Sequence, residues 1–351
     1  MAPSSRGPDL VSRRIRETAG YTPGEQPTDR SLIKLNTNEN PYPCSPLIAE
    51  AIETEAHRLN LYPSPMADML RVRAAETYRV KPSQVLAGNG SDELLAILLR
   101  ACTEPGEAIA YPVPTYSLYR VLANLEGVRA IEVPADGNPI PRALAEAPSR
   151  VTFLSTPNSP TGLALPLDAI AEFARNVSGV VVADEAYVDF GGASALAILA
   201  DHPNLVVTRS FSKSFSLAGL RLGLLFAHED FAAELAKVKD SYNVSRLAIA
   251  AGVAALEDIG WMQNNVARIR ATRVRVTAAL RRAGYTLEDS QANFLWVDCT
   301  AKGGGRGVYE KLRDSSVLVR FFEGDGLAAG IRVSIGTDDE MDKFLDVMSR
   351  I

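Results

Sequence analysis

Lys213 stands in Ser210-Phe211-Ser212-Lys213-Ser214-Phe215-Ser216, one amine among four serine hydroxyls, with Arg221 eight positions further on. An amine in a dry pocket can lose enough basicity to attack a carbonyl and form a Schiff base. Short hydroxyls and an arginine beside it suit a phosphate dianion, because the guanidinium offers paired donors to paired oxygens. An imine-forming lysine beside a phosphate cradle points to pyridoxal 5'-phosphate (PLP). A lone S-x-S-K is more often part of a solvated surface loop, so the pattern needs support from elsewhere in the chain.

Three further segments offer that support. The apolar run Val180-Val181-Val182-Ala183 leads directly into Asp184, with Tyr187 three positions on. A carboxylate ending such a run is costly to bury unless paired. A protonated pyridine nitrogen would be that pair, and a pyridinium is the electron sink that PLP chemistry needs. Asp184 alone fits a helix N-cap or a Mg²⁺ ligand equally well. Lys213 follows 29 residues later, about one βα unit, so the two strand ends are expected to be neighbours. The run Val151 to Thr156 ends in Pro157-Asn158-Ser159-Pro160-Thr161-Gly162, a rigid turn expected to present the Asn158 side chain. Asn158 and Tyr187 are the candidates to hydrogen-bond the ring's phenolate oxygen. Gly88-Asn89-Gly90-Ser91-Asp92-Glu93 precedes an apolar helix whose N–H groups would form an anion site, although Ser91-Asp92-Glu93 is also an ordinary capping sequence. Tyr111 and Tyr116 follow the next apolar run, where an aromatic either stacks on a flat ring or packs in the core.

These residues need a frame that brings strand ends together. Leu205-Val206-Val207 is a short β-branched run of the kind found in buried parallel strands. Similar runs recur as QVLAG, AIAYP, VRAIEV, RVTFLST, GVVVADEA and LGLLFA, separated by amphipathic helical stretches. That alternation predicts an α/β fold with a mostly parallel sheet covered by helices on both faces. Open sheets of this kind hold ligands at the carboxyl ends of their strands. Ser45-Pro46 predicts a helix start. Residues 229–283 read as largely helical, through FAAELAKVKDSY, RLAIAAGVAALEDI and the arginine-rich stretch after them. Beyond Gly284, ANFLWVDC, VLVR and IRVSIG alternate with helices as a smaller α+β unit. The expected division is an N-terminal arm over 1–44 that joins the small domain, a large domain over 45–260 and a small domain over 261–351.

Totals narrow the function classes. A net charge of −5 gives no basic surplus for nucleic acid. No apolar run approaches the ~20 residues of a membrane span. The N-terminal stretch MAPSSRGPDLVSRRIRE lacks the apolar core of a secretory signal. Cys44, Cys102 and Cys299 are scattered and odd in number, which fits a reducing compartment, and the chain reads as cytoplasmic. His57, His202 and His228 have no metal-ligand spacing, so no metal is expected. Lys302-Gly303-Gly304-Gly305-Arg306 lacks the strand–loop–helix frame of a phosphate loop and reads as a flexible turn.

GNGSDE, TPNSPTG, ADEAYVDF, SFSKSFSLAGLRLG and IRVSIGT, in this order, resemble the fold-type I PLP-dependent aminotransferases over roughly residues 20–350. The arm motif LNTNENP and the later ANFLW make the chain similar, within them, to the histidinol-phosphate aminotransferases. The resemblance implies a large domain built on a seven-stranded sheet. It implies that Lys213 holds PLP and moves a proton, that Asp184 pairs the pyridinium, and that Asn158 and Tyr187 bind the phenolate oxygen. Tyr116 would stack on the ring. Gly90, Ser91, Asp92, Ser210, Ser212 and Arg221 would bind the phosphate, joined by Tyr62 from a partner subunit in a homodimer. Arg332 would clamp the substrate's anionic end, with Arg320, Tyr21 and Asn38 also at the substrate. The implied reaction is transfer of the amino group of L-histidinol phosphate to 2-oxoglutarate, in histidine biosynthesis. An aromatic-amino-acid aminotransferase and a threonine-phosphate decarboxylase are alternatives of the same fold, and a PLP-binding regulator without turnover is one of another class. The chain departs from the family at Ser216, and at Ser315 or Ser316, where glycine is usual.

Overall fold

The computed structural model describes residues 10–29, 31–324 and 326–351. The first nine residues of the stretch read as lacking a secretory signal lie outside them. The strands in chain order are β1 (Ile33–Lys34), β2 (Val85–Gly88), β3 (Ala108–Val113), β4 (Arg129–Pro134), β5 (Val151–Ser155), β6 (Val180–Asp184), β7 (Leu205–Ser210), β8 (Gly223–Phe226), β9 (Phe294–Asp298), β10 (Val317–Leu318), β11 (Arg320–Phe321) and β12 (Gly330–Ser334).

Seven strands form the central sheet in the order β2-β8-β7-β6-β5-β3-β4, and β8 alone runs against the others. Each apolar run seen in the sequence occupies one of these strands. The runs are continuous because both faces are covered: Val181 and Ala183 enter one hydrophobic cluster, Val182 the other. Leu205 and Val207 against Val206 repeat the same alternation one strand over. Asp184 pairs with Thr208 across β6 and β7, so the strand ends carrying Asp184 and Lys213 are adjacent as expected.

A second, antiparallel sheet has the order β11-β12-β9, and β1 pairs in parallel with β10. VLVR, expected as one strand, is divided: Val317–Leu318 receives the arm, while Arg320–Phe321 turns to β12. The arm is tied further by Ser334 N–H donating to Leu35 C=O at 2.9 Å.

The helix expected at Ser45 runs Pro46–Ala56, with the serine hydroxyl accepting the Leu47 N–H. The one expected over FAAELAKVKDSY is shorter, Glu229–Leu235. Beyond it the chain tightens into i→i+3 turns, and the Lys239 ammonium donates to the Pro65, Asp240 and Ser241 carbonyls in place of helical continuation. Among the described residues no helix is long and apolar enough to cross a membrane.

Candidate active site

A cavity of about 400 Å³ opens at the carboxyl ends of β5, β6 and β7, under the arm and against the small sheet. Its size is that of a small-molecule site.

The turn after β7 places Lys213 there. Phe211 and Phe215 are buried against each other at 4.6 Å, which anchors the turn on both sides of the lysine. Leu217 N–H closes it on Phe211 C=O at 3.1 Å. From the arm, Asn40 Nδ2 donates to the Lys213 and Ser214 carbonyls, both at 3.1 Å. Lys213 Nζ donates to Thr37 C=O at 3.3 Å and lies 5.7 Å from the centre of the Tyr187 ring. Beneath the turn Asp189 accepts from Ser214 Oγ at 2.5 Å and from Arg209.

Asp184 is 4% exposed and faces the same cavity. Its carboxylate accepts from the Tyr119 hydroxyl at 2.7 Å and from Thr208 Oγ1 at 3.0 Å. Burial pushes its carboxyl above the ordinary range, and the two donors pull back without cancelling that effect. A cation at the cavity floor would relieve the imbalance. Tyr119 and Thr208 went unnoticed in the sequence, although Tyr119 lies one helical turn from Tyr116 and Thr208 is a polar residue inside a buried strand.

The helix Ser91–Cys102 points its N-terminus at the cavity, and its first N–H groups have no helical partner. Arg221 Nη2 bonds Asp92 at 3.1 Å and Nη1 reaches Ser212 Oγ at 3.4 Å, so guanidinium, hydroxyl and helix end converge. Gly90 was expected at the phosphate as well. Its N–H is used on Gly88 C=O at 2.9 Å, and a Cβ there would lie 2.7 Å from Arg221 Nη2. What it supplies is room for the guanidinium. Ser210 and Ser212 line the same corner.

Asn158 was expected at the ring's phenolate oxygen. Its Nδ2 donates to Pro114 C=O and Thr161 Oγ1, each at 3.0 Å, and its Oδ1 accepts from Thr115 at 2.7 Å. These bonds brace its own turn. The next residue, Ser159, faces the cavity and accepts from Arg332 Nη1 at 2.9 Å.

Arg332 donates its other terminal nitrogen to Asn36 C=O at 3.1 Å, and its buried Nε has no partner among the described residues. Phe294 and Phe322 lie 5.4 and 5.5 Å from its charged carbon. Burial lowers its proton affinity. Among the described residues no carboxylate pairs with it, which leaves a desolvated guanidinium open to an anion. Arg320 lines the same end and holds the arm through the Thr22 and Pro23 carbonyls at 3.0 and 3.1 Å.

Tyr116 lines the cavity edge-on to Tyr21 at 5.8 Å, and burial, with Asp92 nearby, raises its pKa well above that of free tyrosine. Asn38 is 1% exposed and reaches the Tyr187 hydroxyl at 3.0 Å. Tyr62 is outside this cavity: it is 77% exposed and stacks on Tyr242 at 4.4 Å.

The donor set fits PLP: an amine, a buried carboxylate for a ring cation, a helix end with Arg221 for a phosphate, and an unpaired Arg332 opposite. The family model "Aminotransferase class I and II" matches residues 30–348. A histidinol-phosphate aminotransferase of Citrifermentans bemidjiense is 43% identical over 97% of this chain and 98% of its own length. One of Nostoc sp. is 41% identical over 95% and 96%. Among solved structures, histidinol-phosphate aminotransferase from Sinorhizobium meliloti in complex with pyridoxal-5'-phosphate superposes with a TM-score of 0.84 at 26% identity, covering 90% of this chain and 89% of that one.

Proposed function

The chain belongs to the class I and II aminotransferases, and we propose that it is a PLP-dependent transaminase that moves the amino group of L-histidinol phosphate to 2-oxoglutarate. Arg332 is the observation that carries the specificity. A buried cation without a carboxylate suits a substrate with an anionic end, the phosphate in one half-reaction and the glutamate carboxylate in the other. Both bring paired oxygens to a planar fork of donors.

When bound, the cofactor supplies a pyridinium that stabilises negative charge at the substrate's Cα. The chain's residues do the rest. Asp184 holds the proton on the ring nitrogen, and its burial strengthens that pairing. Ser91, Asp92, Ser210, Ser212 and Arg221 hold the phosphate, the first two through backbone N–H groups. Lys213 holds the group covalently and, as a free amine, carries the proton to and from Cα. Tyr187 donates to the phenolate oxygen, and Asn158 in the neighbouring turn is the second candidate for it. Tyr116 covers the ring, while Tyr21, Arg320 and the arm around Asn38 shut out water at the distal end. The exposed Tyr62 reaches the partner's site in a homodimer. Free cysteines at 44, 102 and 299 suit a cytoplasmic enzyme.

The test is spectroscopic and kinetic. Protein incubated with PLP is expected to show a visible band, lost in Lys213→Ala, and borohydride is expected to fix a pyridoxyl group on Lys213. Steady-state rates with 2-oxoglutarate are expected to favour histidinol phosphate over phenylalanine, with no decarboxylation of threonine phosphate. A colourless protein would remove the cofactor reading. Preference for another donor would remove the substrate assignment alone.

A further inference from the structure

The Tyr187 hydroxyl has one hydrogen-bond partner among the described residues, Asn38 Nδ2 at 3.0 Å. Which end of the Asn38 amide faces the phenol follows from Ser334. The Ser334 hydroxyl accepts the Asn38 backbone N–H at 2.8 Å and donates its own proton to Asn38 Oδ1 at 3.1 Å. That makes the other end of the amide the NH₂ group. A donor therefore occupies a lone pair of the Tyr187 oxygen, and the phenol's proton must leave in another direction. The other direction is the cavity that holds Lys213 and Asp184.

The bracket is rigid. Asn293 Nδ2 holds the Asn38 carbonyl at 2.9 Å, and Asn38 is 1% exposed. Its φ of +55° is a left-handed conformation that asparagine and aspartate accept more readily than most side chains. Four separate segments meet here: the arm, Asn293 just before β9, β12 through Ser334, and the turn after β6.

We propose that Asn38 is a positioning residue that aims the Tyr187 proton into the cavity, with Ser334 fixing the amide that does so. The inference rests on the PLP reading, in which that proton goes to the ring's phenolate oxygen. A donor there draws charge from the neighbouring nitrogen and holds down the pH midpoint of the visible band. The charged and titratable groups facing Tyr187 are Lys213, Arg332, Tyr21 and Tyr116.

The test is a pH titration of the visible band in the PLP-loaded protein. Tyr187→Phe is expected to raise the midpoint by about one pH unit, the scale of one lost hydrogen bond to a charged group. Asn38→Asp keeps the shape, the backbone conformation and the Ser334 contact, but turns the donor into an acceptor that draws the phenol's proton to itself. It is expected to raise the midpoint by a similar amount, and to add little once Tyr187 is Phe. Ser334→Ala, which carries no charge, is expected to shift it less and in the same direction. A midpoint unmoved by Asn38→Asp, with only the thermal midpoint lowered, would overturn the relay. So would an equal shift with and without the phenol, since that is the signature of the added charge alone. A wild type with no band at all would sink the cofactor reading and the relay together, whereas a normal wild-type band with unmoved variants sinks the relay only.

Discussion

Arg332 donates to the Ser159 hydroxyl at 2.9 Å across the cavity, joining β12 of the small sheet to the turn after β5 of the large one. Serine carries no charge, and among the described residues no carboxylate neutralises the guanidinium. Lysine at 332 would keep the charge and lose the paired donors. Arg332→Lys is therefore expected to reduce kcat/KM about 100-fold for both half-reactions, equivalent to about 2.7 kcal/mol. Separate pre-steady-state rates for the phosphorylated amine and for glutamate would check this. Loss confined to one substrate would show that Arg332 serves one anion only.

Tyr119→Phe probes the floor of the site. The ring stays stacked on Phe153 at 4.5 Å, so packing is preserved while Asp184 loses its 2.7 Å donor. Burial already pushes the Asp184 carboxyl upward, and removing a donor leaves that effect less opposed. Hydrogen bonds to charged groups are worth about 1.5–3 kcal/mol. Cofactor affinity is expected to fall about tenfold or more, read by equilibrium dialysis. An unchanged affinity would mean that Thr208 alone suffices to keep Asp184 ionised against the ring.

The fold was legible because buried parallel strands write themselves as apolar runs, and Val180 to Ala183 or Leu205 to Val207 could be little else. Lys213 and Asp184 were legible for a related reason, since each is a charged residue at the end of such a run. The turn Pro157 to Gly162 shows where that reading stops. Residue types say that an asparagine and a serine are present, not which of them faces outward. Asn158 is held by Thr161 within the turn and by Pro114 and Thr115, 44 and 43 positions away, and only the folded chain brings the last two alongside. Asn38 and Ser334 lie 296 positions apart and show no pattern linking them until the arm is laid against β12.

Glu185 gives a pH dependence that owes nothing to catalysis. It is buried beside Arg209, accepts from Ser194 Oγ at 2.6 Å and from the Ala195 N–H, and burial pushes it up to about 7. A folded-state value above the unfolded one means that the fold favours the protonated form. That stability is present below about 4.5, the ordinary glutamate range, and is lost as pH rises through about 7. The cofactor-free protein is expected to lose on the order of a few kcal/mol over this window. Glu185→Gln is expected to flatten most of that slope, with a smaller one persisting from Asp184. Thermal midpoints of both proteins at pH 5 and pH 8 decide it. Parallel slopes would show that Arg209 keeps Glu185 ionised throughout.

Ser216 and Ser316 both adopt left-handed backbone, with φ of +61° and +62°. A side chain there costs about 1–2 kcal/mol, and the greater freedom of glycine in the unfolded chain returns about 0.5–1 kcal/mol of any gain. On backbone grounds alone each Ser→Gly change is expected to stabilise the protein by about 0.5–1 kcal/mol. The two positions differ in one respect. Among the described residues the Ser216 hydroxyl is buried without a partner, whereas Ser316 is exposed. An unsatisfied buried hydroxyl costs a further ~1 kcal/mol or more, so Ser216→Gly is expected to gain roughly twice as much as Ser316→Gly. Urea denaturation of the two single variants measures the difference directly. Equal gains would mean that the Ser216 hydroxyl finds a partner in solution, and a loss at either position would mean that its serine relieves more strain than it causes.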